Sequence, residues 1–253
     1  MQLLQATPNR FNGIVIDTET LPDTASGYRN LLEHSLAKWK AQDYQVVWVE
    51  IPLSKSFLIH HTVETGFHFH HSSNHSLMLT RRLVEDAFIP EHATHYVGAG
   101  GVVVNEKDEL LVVCERFRGA DRPPYYKLPG GALHPKEHLT DGVVREVFEE
   151  TGVSTHFEGL ICFRHWHGYR YGKSDIYFVC RLKPLKQVIK MQVAEIEECF
   201  WMSVSEYMQS EHVSVFNKQI VKAAIDHKGL ERTFVEGYGD PDQYEFFMPD
   251  PAS

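Results

Sequence analysis

Three glutamates, Glu146, Glu149 and Glu150, stand close together in a segment whose pattern predicts a helix. At 100° per residue they fall within an arc of roughly 100° on one helical face. Like charges at these spacings repel by a few tenths of a kcal/mol per pair, so a purely structural helix gains nothing from them. A divalent cation reverses that balance, because Mg²⁺ prefers oxygen ligands and shares a few carboxylates with substrate phosphates. The spacing therefore favours a cation site. If the three acids stood without other motif residues around them, a solvated acidic helix would be the better interpretation.

The residues around the three acids strengthen the case for a cation site. A strand is expected to stop at Pro129, and Gly130-Gly131 is expected to turn the chain, because glycine adopts positive φ without strain. Gly152 stands where a left-handed C-terminal cap is expected. From Gly131 to Val153 the chain fits G-x5-E-x7-R-E-U-x-E-E-x-G-U, where U is a bulky apolar residue. Such a string is far more specific than a lone glycine-rich loop.

This string resembles the signature of the Nudix hydrolases. The resemblance implies hydrolysis of a nucleoside diphosphate linked to another moiety, with Mg²⁺ or Mn²⁺ held by the signature helix. It implies that Arg145 orients the acids and that Glu137 is its partner in holding the loop against the helix. Gly131 and Gly152 are the implied structural glycines. The implied metal ligands are Glu146, Glu149 and Glu150.

The general base is open at this stage. Attack of water on phosphorus, which the resemblance implies, requires a group that takes the proton. Glu149 is the first choice within the signature helix. Glu195 is the alternative, because some Nudix enzymes place such an acid in a later loop. Glu197 and Glu198 compete with it, and ordinary surface charge is the simpler explanation for all three.

Four basic residues flank the signature or follow it and are candidates for substrate binding. Guanidinium groups suit bidentate contact with phosphate, although ordinary surface solubility explains each of these side chains equally well. The candidates are Arg116, Arg118, Lys127 and Arg164. Tyr125, Tyr126 and Trp166 are candidates for stacking on a base, with core packing as the alternative.

Hydrophobic periodicity predicts two domains. Residues 1–90 are expected to form a small α/β domain with a helix over 26–41, a shorter helix over 54–65 and four short strands. Residues 91–253 are expected to form a three-layer α/β/α sandwich with a mixed sheet, in agreement with the Nudix resemblance. Its predicted strands cover 96–104, 109–116, 157–166, 174–182 and 196–202, and its predicted last helix covers 213–227.

A narrower resemblance extends over nearly the whole chain. Arg10–Gly13, Trp48–Pro52, Gly66–His71 and Gly172–Tyr177 resemble animal Nudix proteins encoded antisense to a fibroblast growth factor gene, and related plant and bacterial enzymes. This subfamily carries a pre-Nudix domain before the Nudix domain. For the plant relatives the implied substrates are ADP-ribose and NADH.

Composition excludes several classes of protein. The formal charge of −9 over 253 residues argues against general nucleic-acid binding, which needs clustered Lys and Arg, but it is compatible with a small-molecule nucleotide substrate. No run of 18 apolar residues predicts a membrane span. The first residues lack the pattern of a signal peptide, so a cytoplasmic location is expected. A homodimer is left open.

Two further functional hypotheses belong to other classes. The chain is alternatively a regulatory module that binds a nucleotide or a protein with little turnover. The N-terminal domain is alternatively an enzyme of its own, such as an acyltransferase, although it carries no G-x-G-x-x-G loop. A dense histidine run suggests zinc, but histidine composition alone is weak support for a metal site. The run comprises His60, His61, His68, His70, His71 and His75.

Overall fold

The computed structural model describes residues 2–117 and 123–249. The chain divides into two compact units, one ending at Ala93 and the other beginning at Thr94. The division into domains of residues 1–90 and 91–253 is kept as a proposal. Among the helices of the described residues, none is both long and apolar enough to cross a membrane.

The first unit is a five-stranded sheet with two helices. Its strands follow the order β1-β2-β3-β5-β4, in which β2 and β3 are parallel and the other pairs antiparallel. The strands are β1 (Ala6–Pro8), β2 (Gly13–Ile16), β3 (Val46–Pro52), β4 (His68–Ser72) and β5 (Ser76–Arg82). The helices are α1 (Tyr28–Lys40) and α2 (Ile59–Glu64). Tyr28, Leu32 and Leu36 recur at helical spacing on α1 and pack with Val47 and Val49 in one core.

The second unit contains a four-stranded sheet in the order β8-β6-β10-β9 and a pair formed by β7 and β11. Strands β6 and β10 are parallel, and their neighbours in the sheet are antiparallel. The main strands are β6 (His95–Val103), β7 (Glu109–Glu115), β8 (Gly130–Ala132), β9 (Thr155–Trp166), β10 (Ser174–Pro184) and β11 (Ile196–Ser203). The remaining elements are α3 (Leu139–Thr151), α4 (Val204–Gln209), α5 (Val215–Asp226), β12 (Glu231–Thr233) and β13 (Phe246–Met248).

Two apolar clusters in the second unit define its layers. One joins Val143 and Val147 of α3 to sheet residues such as Leu182, and the other joins Ile220 of α5 to residues such as Val179. Alternation along β10 sends Val179 to one face and Cys180 and Leu182 to the other, so a helix covers each face. The predicted mixed α/β fold class, with a second α/β module before it, is confirmed.

The structure differs from the sequence expectations at several elements; the first unit has a fifth strand, β1, where four strands were expected. The segment predicted as one helix over 54–65 is a 3-10 turn, Leu53–Leu58, followed by α2. Gly130-Gly131 was expected to turn the chain, but these residues form strand β8 against Gly98–Gly100 of β6; only Gly130, at φ +152°, has positive φ. The short elements α4, β12 and β13 lack the long periodic pattern that sequence analysis requires.

The N-terminus of α3 is capped by a residue from far along the chain. His138, at the N-cap position, makes no side-chain cap hydrogen bond. Instead, Glu245 accepts hydrogen bonds from the Leu139 N–H at 2.8 Å and the Thr140 hydroxyl at 2.5 Å. The Glu245 side chain is 7% exposed, and it is also paired with Arg232 at 3.3 Å. A carboxylate here satisfies free N–H groups and interacts favourably with the helix dipole.

We expect Glu245→Ala to lower the free energy of unfolding by about 1–2 kcal/mol, because α3 loses its cap. Chemical denaturation followed by circular dichroism measures this change. Glu236→Ala, which removes an exposed acid of the same C-terminal segment, is the control and should change stability little. Equal stabilities of the two variants would contradict a capping role for Glu245.

Candidate active site

Two carboxylates of α3 are held against the two glycines that form the start of β8. Glu150 Oε2 accepts a hydrogen bond from the Gly130 N–H at 2.9 Å. Glu146 lies so close to Gly131 that a Cβ built there would be 2.4 Å from Glu146 Oε2. A Cβ at Gly130 would be 2.3 Å from the backbone oxygen of Ala99. Gly130 therefore cannot carry a side chain without moving the backbone, whereas a side chain at Gly131 would displace the Glu146 carboxylate. The two carboxylates lie beside adjacent residues of one strand.

The Arg145 guanidinium organises the acids. It forms a bidentate pair with Glu137, with Nε–Oε1 at 2.6 Å and Nη2–Oε2 at 2.9 Å. Nη1 donates to Glu146 and Glu149, both at 2.9 Å, and Nη2 also donates to the Ala132 carbonyl at 3.1 Å. All five N–H donors of the guanidinium are thereby used. The structure thus brings Arg145, the residue expected to orient the acids, into contact with Glu137, Glu146 and Glu149.

Glu137 is the strongest partner of Arg145. Its hydrogen bonds to the guanidinium hold the pKa of its carboxyl at about 2, well below the ordinary value. The same carboxylate accepts the His134 N–H at 2.8 Å, which fixes the loop before α3. The same loop explains why residue 142 of the helix is a glycine. A Cβ at that position would lie 2.3 Å from Leu133 Cδ2 and 3.0 Å from Glu137 Oε2. The glycine weakens the helix by about 1 kcal/mol but admits the loop.

The glycine pair and its carboxylates lie in the wall of a cleft of about 910 Å³. Such a volume is typical of pockets that bind small molecules and cofactors. Glu146, Glu150, Lys127 and Glu195 line the cleft, together with Arg164. The Glu149 side chain is 51% exposed and forms an ion pair with Arg145. Sequence candidates from four separate segments thus lie around one cavity.

Glu150 is a buried acid in this wall, with 8% of the residue exposed. Burial raises the pKa of its carboxyl to about 7, against the opposing effects of the Lys127 charge and the Gly130 N–H. Keeping such a group ionised costs free energy unless a positive charge lies beside it. A cation at this wall would remove that cost.

The other basic candidates occupy different environments. Lys127 forms an ion pair with Glu115 at the cleft. Arg116 donates from Nε to the Val193 carbonyl at 2.9 Å and from Nη2 to the Ile196 carbonyl at 3.4 Å, so its guanidinium is bound to protein backbone. Arg118 lies outside the described residues. The roles of these side chains in substrate binding stay predictions.

The acids of the later loop are separated by the fold. The Arg116 N–H donates to the Glu195 carbonyl oxygen at 2.7 Å, and Glu195 lines the cleft. Glu198 accepts a hydrogen bond from the Tyr126 hydroxyl at 3.0 Å. The Tyr126 ring packs against the Phe200 ring. Of the competing acids Glu195, Glu197 and Glu198, only Glu195 is among the described residues that line this cleft.

Two further side chains that line the cleft, Tyr177 and Asp175, were not among the candidate site residues from the sequence. The Tyr177 ring fills the space left by Gly98, Gly100 and Gly130, where a Cβ would come within 2.4–3.0 Å of it, and burial raises the pKa of its hydroxyl. Asp175 is buried and accepts from Arg164 Nη2 at 2.5 Å. Both lie within the Gly172–Tyr177 motif, which was the sequence signal that could have identified them.

The histidines of the first unit and the glutamates of α3 are the two sets of candidate metal ligands. Within residues 2–117 and 123–249, no three His, Cys, Asp or Glu side chains converge as a ready metal site. In the first unit His71 stacks on His92 at 4.5 Å, and His70 Nδ1 lies 2.6 Å from His71 Nδ1. The glutamates of α3 face Arg145 or Gly130 instead of a common point. A Mg²⁺ ion nevertheless needs only one or two carboxylates beside waters and substrate phosphates, so Glu146 and Glu150 fit such an ion.

Comparison with known proteins gives consistent matches in both units. A family model described as Nudix hydrolase domain matches residues 4–83, and a model described as NUDIX domain matches residues 94–223. Nudix hydrolase 2 of Arabidopsis thaliana is 38% identical over 88% of this chain and 80% of its own length. Human "nucleoside diphosphate-linked moiety X motif 6" is 32% identical over 88% of this chain and 72% of its own length. Nudix hydrolase 8 of A. thaliana is 34% identical over 89% of this chain; the chain spans 63% of that relative, less than two thirds.

We expect Gly131→Ala to fold but to lose most of the activity of the site. Its Cβ meets only the mobile end of Glu146, which must move away from the cleft wall. Gly130→Ala is the contrasting variant, because its Cβ meets backbone and its φ is unfavourable for alanine. Thermal melting should show a small loss of stability for Gly131→Ala and a larger one for Gly130→Ala. Full activity in Gly131→Ala would contradict the close approach of Glu146 to β8.

The Glu137–Arg145 pair should make stability depend on acid pH. Because the folded-state pKa of Glu137 is depressed, its contribution is complete above the unfolded-state pKa near 4.5 and disappears as pH falls through about 2. Glu137→Gln should therefore cost about 1.5–3 kcal/mol at pH 7 and progressively less below pH 4.5. Urea denaturation at pH 7, 4 and 3 measures this. The exposed Glu106→Gln is the control, and a deficit for Glu137→Gln that is constant with pH would exclude the ion pair as its cause.

Proposed function

The chain belongs to the Nudix hydrolase family, and we propose that it hydrolyses the pyrophosphate linkage of a nucleoside diphosphate derivative with the help of a bound divalent cation. One observation carries the proposal: Glu146 and Glu150 are held beside Gly130-Gly131 in the wall of a cleft large enough for such a substrate. The relatives' names support the family reaction. ADP-ribose and NADH, which the narrower resemblance implies, are the substrates to test first.

Glu146 and Glu150 are the proposed cation ligands in the cleft, with Glu149 as the third. The ion, Mg²⁺ or Mn²⁺, would neutralise diphosphate charge and make water a better nucleophile. Glu150 supports this assignment because burial raises its pKa to about 7, and its carboxylate gains from any positive charge placed beside it. Arg145 keeps Glu146 and Glu149 oriented. Lys127, on the same cleft, is the proposed contact for a phosphate oxygen.

Glu195 is the proposed acceptor of the proton from water. It lines the cleft, and the Arg116 N–H and guanidinium hold the segment that carries it. Glu149 is the competing candidate, but in the structure its carboxylate accepts a hydrogen bond from Arg145 at 2.9 Å. Geometry within the cleft therefore favours Glu195 over Glu149 as the base.

The proposal is tested on the full chain with ADP-ribose, NADH, ADP-glucose and UDP-glucose, with and without Mg²⁺ or Mn²⁺. Glu150→Gln should lose both turnover and the thermal stabilisation by added Mg²⁺, which reaches about 2.7 kcal/mol when the ion exceeds its Kd a hundredfold. Glu195→Gln should keep the Mg²⁺ stabilisation and lose on the order of 10²–10⁴ in kcat. Asp141→Asn removes an exposed acid of the same helix and should preserve both properties.

The outcomes distinguish the assignments. A Glu195→Gln variant with the wild-type rate, beside a dead Glu149→Gln that still binds Mg²⁺, would transfer the role of base to Glu149. Equal Mg²⁺ stabilisation of wild type and Glu150→Gln would exclude Glu150 as a ligand. A folded wild-type protein that hydrolyses no nucleoside diphosphate derivative with either metal would reject the proposed function and favour a binding module.

A further inference from the structure

We infer that the Arg164–Asp175 ion pair recognises the nucleoside half of the substrate by contacting its base, and not its phosphates. The inference rests on the proposed function, because it takes the diphosphate to lie at the Glu146 and Glu150 end of the cleft. Nothing in the pyrophosphate chemistry requires this pair. Asp175 belongs nevertheless to the Gly172–Tyr177 motif that sequence analysis singled out.

The pair lies at the far end of the cleft from the glutamates. Asp175 at the start of β10 is opposite Tyr96 on β6, whereas Gly100 on β6 is opposite Gly130, which binds Glu150. From Tyr96 to Gly100 is four residues, or about 13 Å along a strand. With the diphosphate at the glutamates, the ribose and base of a nucleotide would extend along the cleft over a distance of this order. The Arg164–Asp175 pair therefore lies where the nucleoside would be.

The charges of the pair argue against a phosphate contact. Arg164 Nη2 and Asp175 Oδ2 are 2.5 Å apart, and the Asp175 side chain is 7% exposed. A buried carboxylate at this distance cancels most of the attraction that the guanidinium would have for another anion. What remains is a rigid, nearly neutral donor group in the cleft wall. Such a group suits a neutral polar ligand.

The guanidinium is also incompletely satisfied by the protein. Arg164 Nε is buried and has no hydrogen-bond partner among the described residues. Nucleobases present ring nitrogens and carbonyl oxygens, which are the acceptors that guanidinium groups contact in nucleic acids. Arg145, which orients the nearby glutamates, uses all its donors on protein. The Arg164 side chain is 36% exposed and lines the cleft, so its guanidinium is accessible to a ligand there although Nε itself is buried.

Aromatic rings around Arg164 complete a site for a planar group. Its Cζ lies 5.5 Å from the ring centroids of Trp166 and Tyr177 and 6.0 Å from that of Phe216, which fixes the plane of the guanidinium. Tyr96 and Phe216 line the cleft and are 39% and 45% exposed. Exposed aromatic rings in a cleft can stack on any of the nucleobases. Donor, acceptor and stacking surfaces therefore occur together.

The test compares mononucleotides with a ligand that lacks the base. Isothermal titration of the full chain measures affinities for AMP, GMP and UMP, and for ribose 5-phosphate, which retains the sugar and phosphate. The best mononucleotide should bind wild type at least tenfold more tightly than ribose 5-phosphate. Arg164→Gln should weaken that mononucleotide at least tenfold and change ribose 5-phosphate less than twofold.

Three further variants separate the causes. Arg164→Lys keeps the charge but not the planar fork, so it should resemble Arg164→Gln if the base is recognised. Asp175→Asn should weaken the mononucleotide by a similar factor without weakening ribose 5-phosphate, since it releases the positive charge. Arg181→Gln is the matched control, because Arg181 forms an ion pair with Glu158 between the same two strands but lines a different cavity. It should leave both affinities unchanged.

Several results would overturn the inference. One is a wild type that binds no mononucleotide more tightly than ribose 5-phosphate. Another is equal weakening of both ligands by Arg164→Gln with recovery in Arg164→Lys, which indicates a phosphate contact. A third is unchanged mononucleotide affinity in Arg164→Gln. Because binding is measured without turnover, an inactive wild type rejects the proposed function alone, whereas an active enzyme with an unchanged affinity ratio rejects this inference alone.

Discussion

The Arg145 guanidinium is the interaction on which the rest of the site depends. Three glutamates on one helical face repel each other, and a helix that carried them alone would be weakened. Arg145 places one positive charge among Glu137, Glu146 and Glu149 and uses its remaining donor on the Ala132 carbonyl. Loop, strand and helix are thereby joined by a single side chain. The acids are oriented before any ligand arrives, and a bound cation has only to complete the arrangement.

This arrangement requires the backbone to come unusually close to the side chains. Glu146 lies on Gly131, and the Tyr177 ring lies on Gly98, Gly100 and Gly130. A Cβ at any of these glycines would push a carboxylate or the tyrosine ring out of place. Tyr177 therefore forms the floor between the acidic end of the cleft and the Arg164–Asp175 end. The glycines connect sheet packing to the shape of the cleft, which is why they cannot be replaced singly without consequence.

Local spacing made most of the signature segment predictable. The positions of Glu146, Glu149 and Glu150 on α3, and the cap at Gly152 with φ +72°, follow from helical geometry and from the conformational freedom of glycine. The cost of Gly142 to the helix follows from helix propensity alone, but the reason for a glycine there does not, since Leu133 and Glu137 approach it from outside the helix. The turn expected at Gly130-Gly131 was wrong because pairing with β6, a contact between distant segments, decides the conformation there.

Contacts between distant segments account for what the sequence could not supply. Glu245 caps α3 from 106 residues away, and no local pattern connects the two. Arg116 and Arg164 were equivalent in sequence, as basic residues near the signature that could contact phosphate. In the structure Arg116 is bound to the backbone of the segment carrying Glu195, whereas Arg164 is paired with a buried carboxylate and retains an unpartnered Nε. Positive charge alone does not identify a substrate contact, because the neighbouring acceptors determine how much of an arginine is left for a ligand.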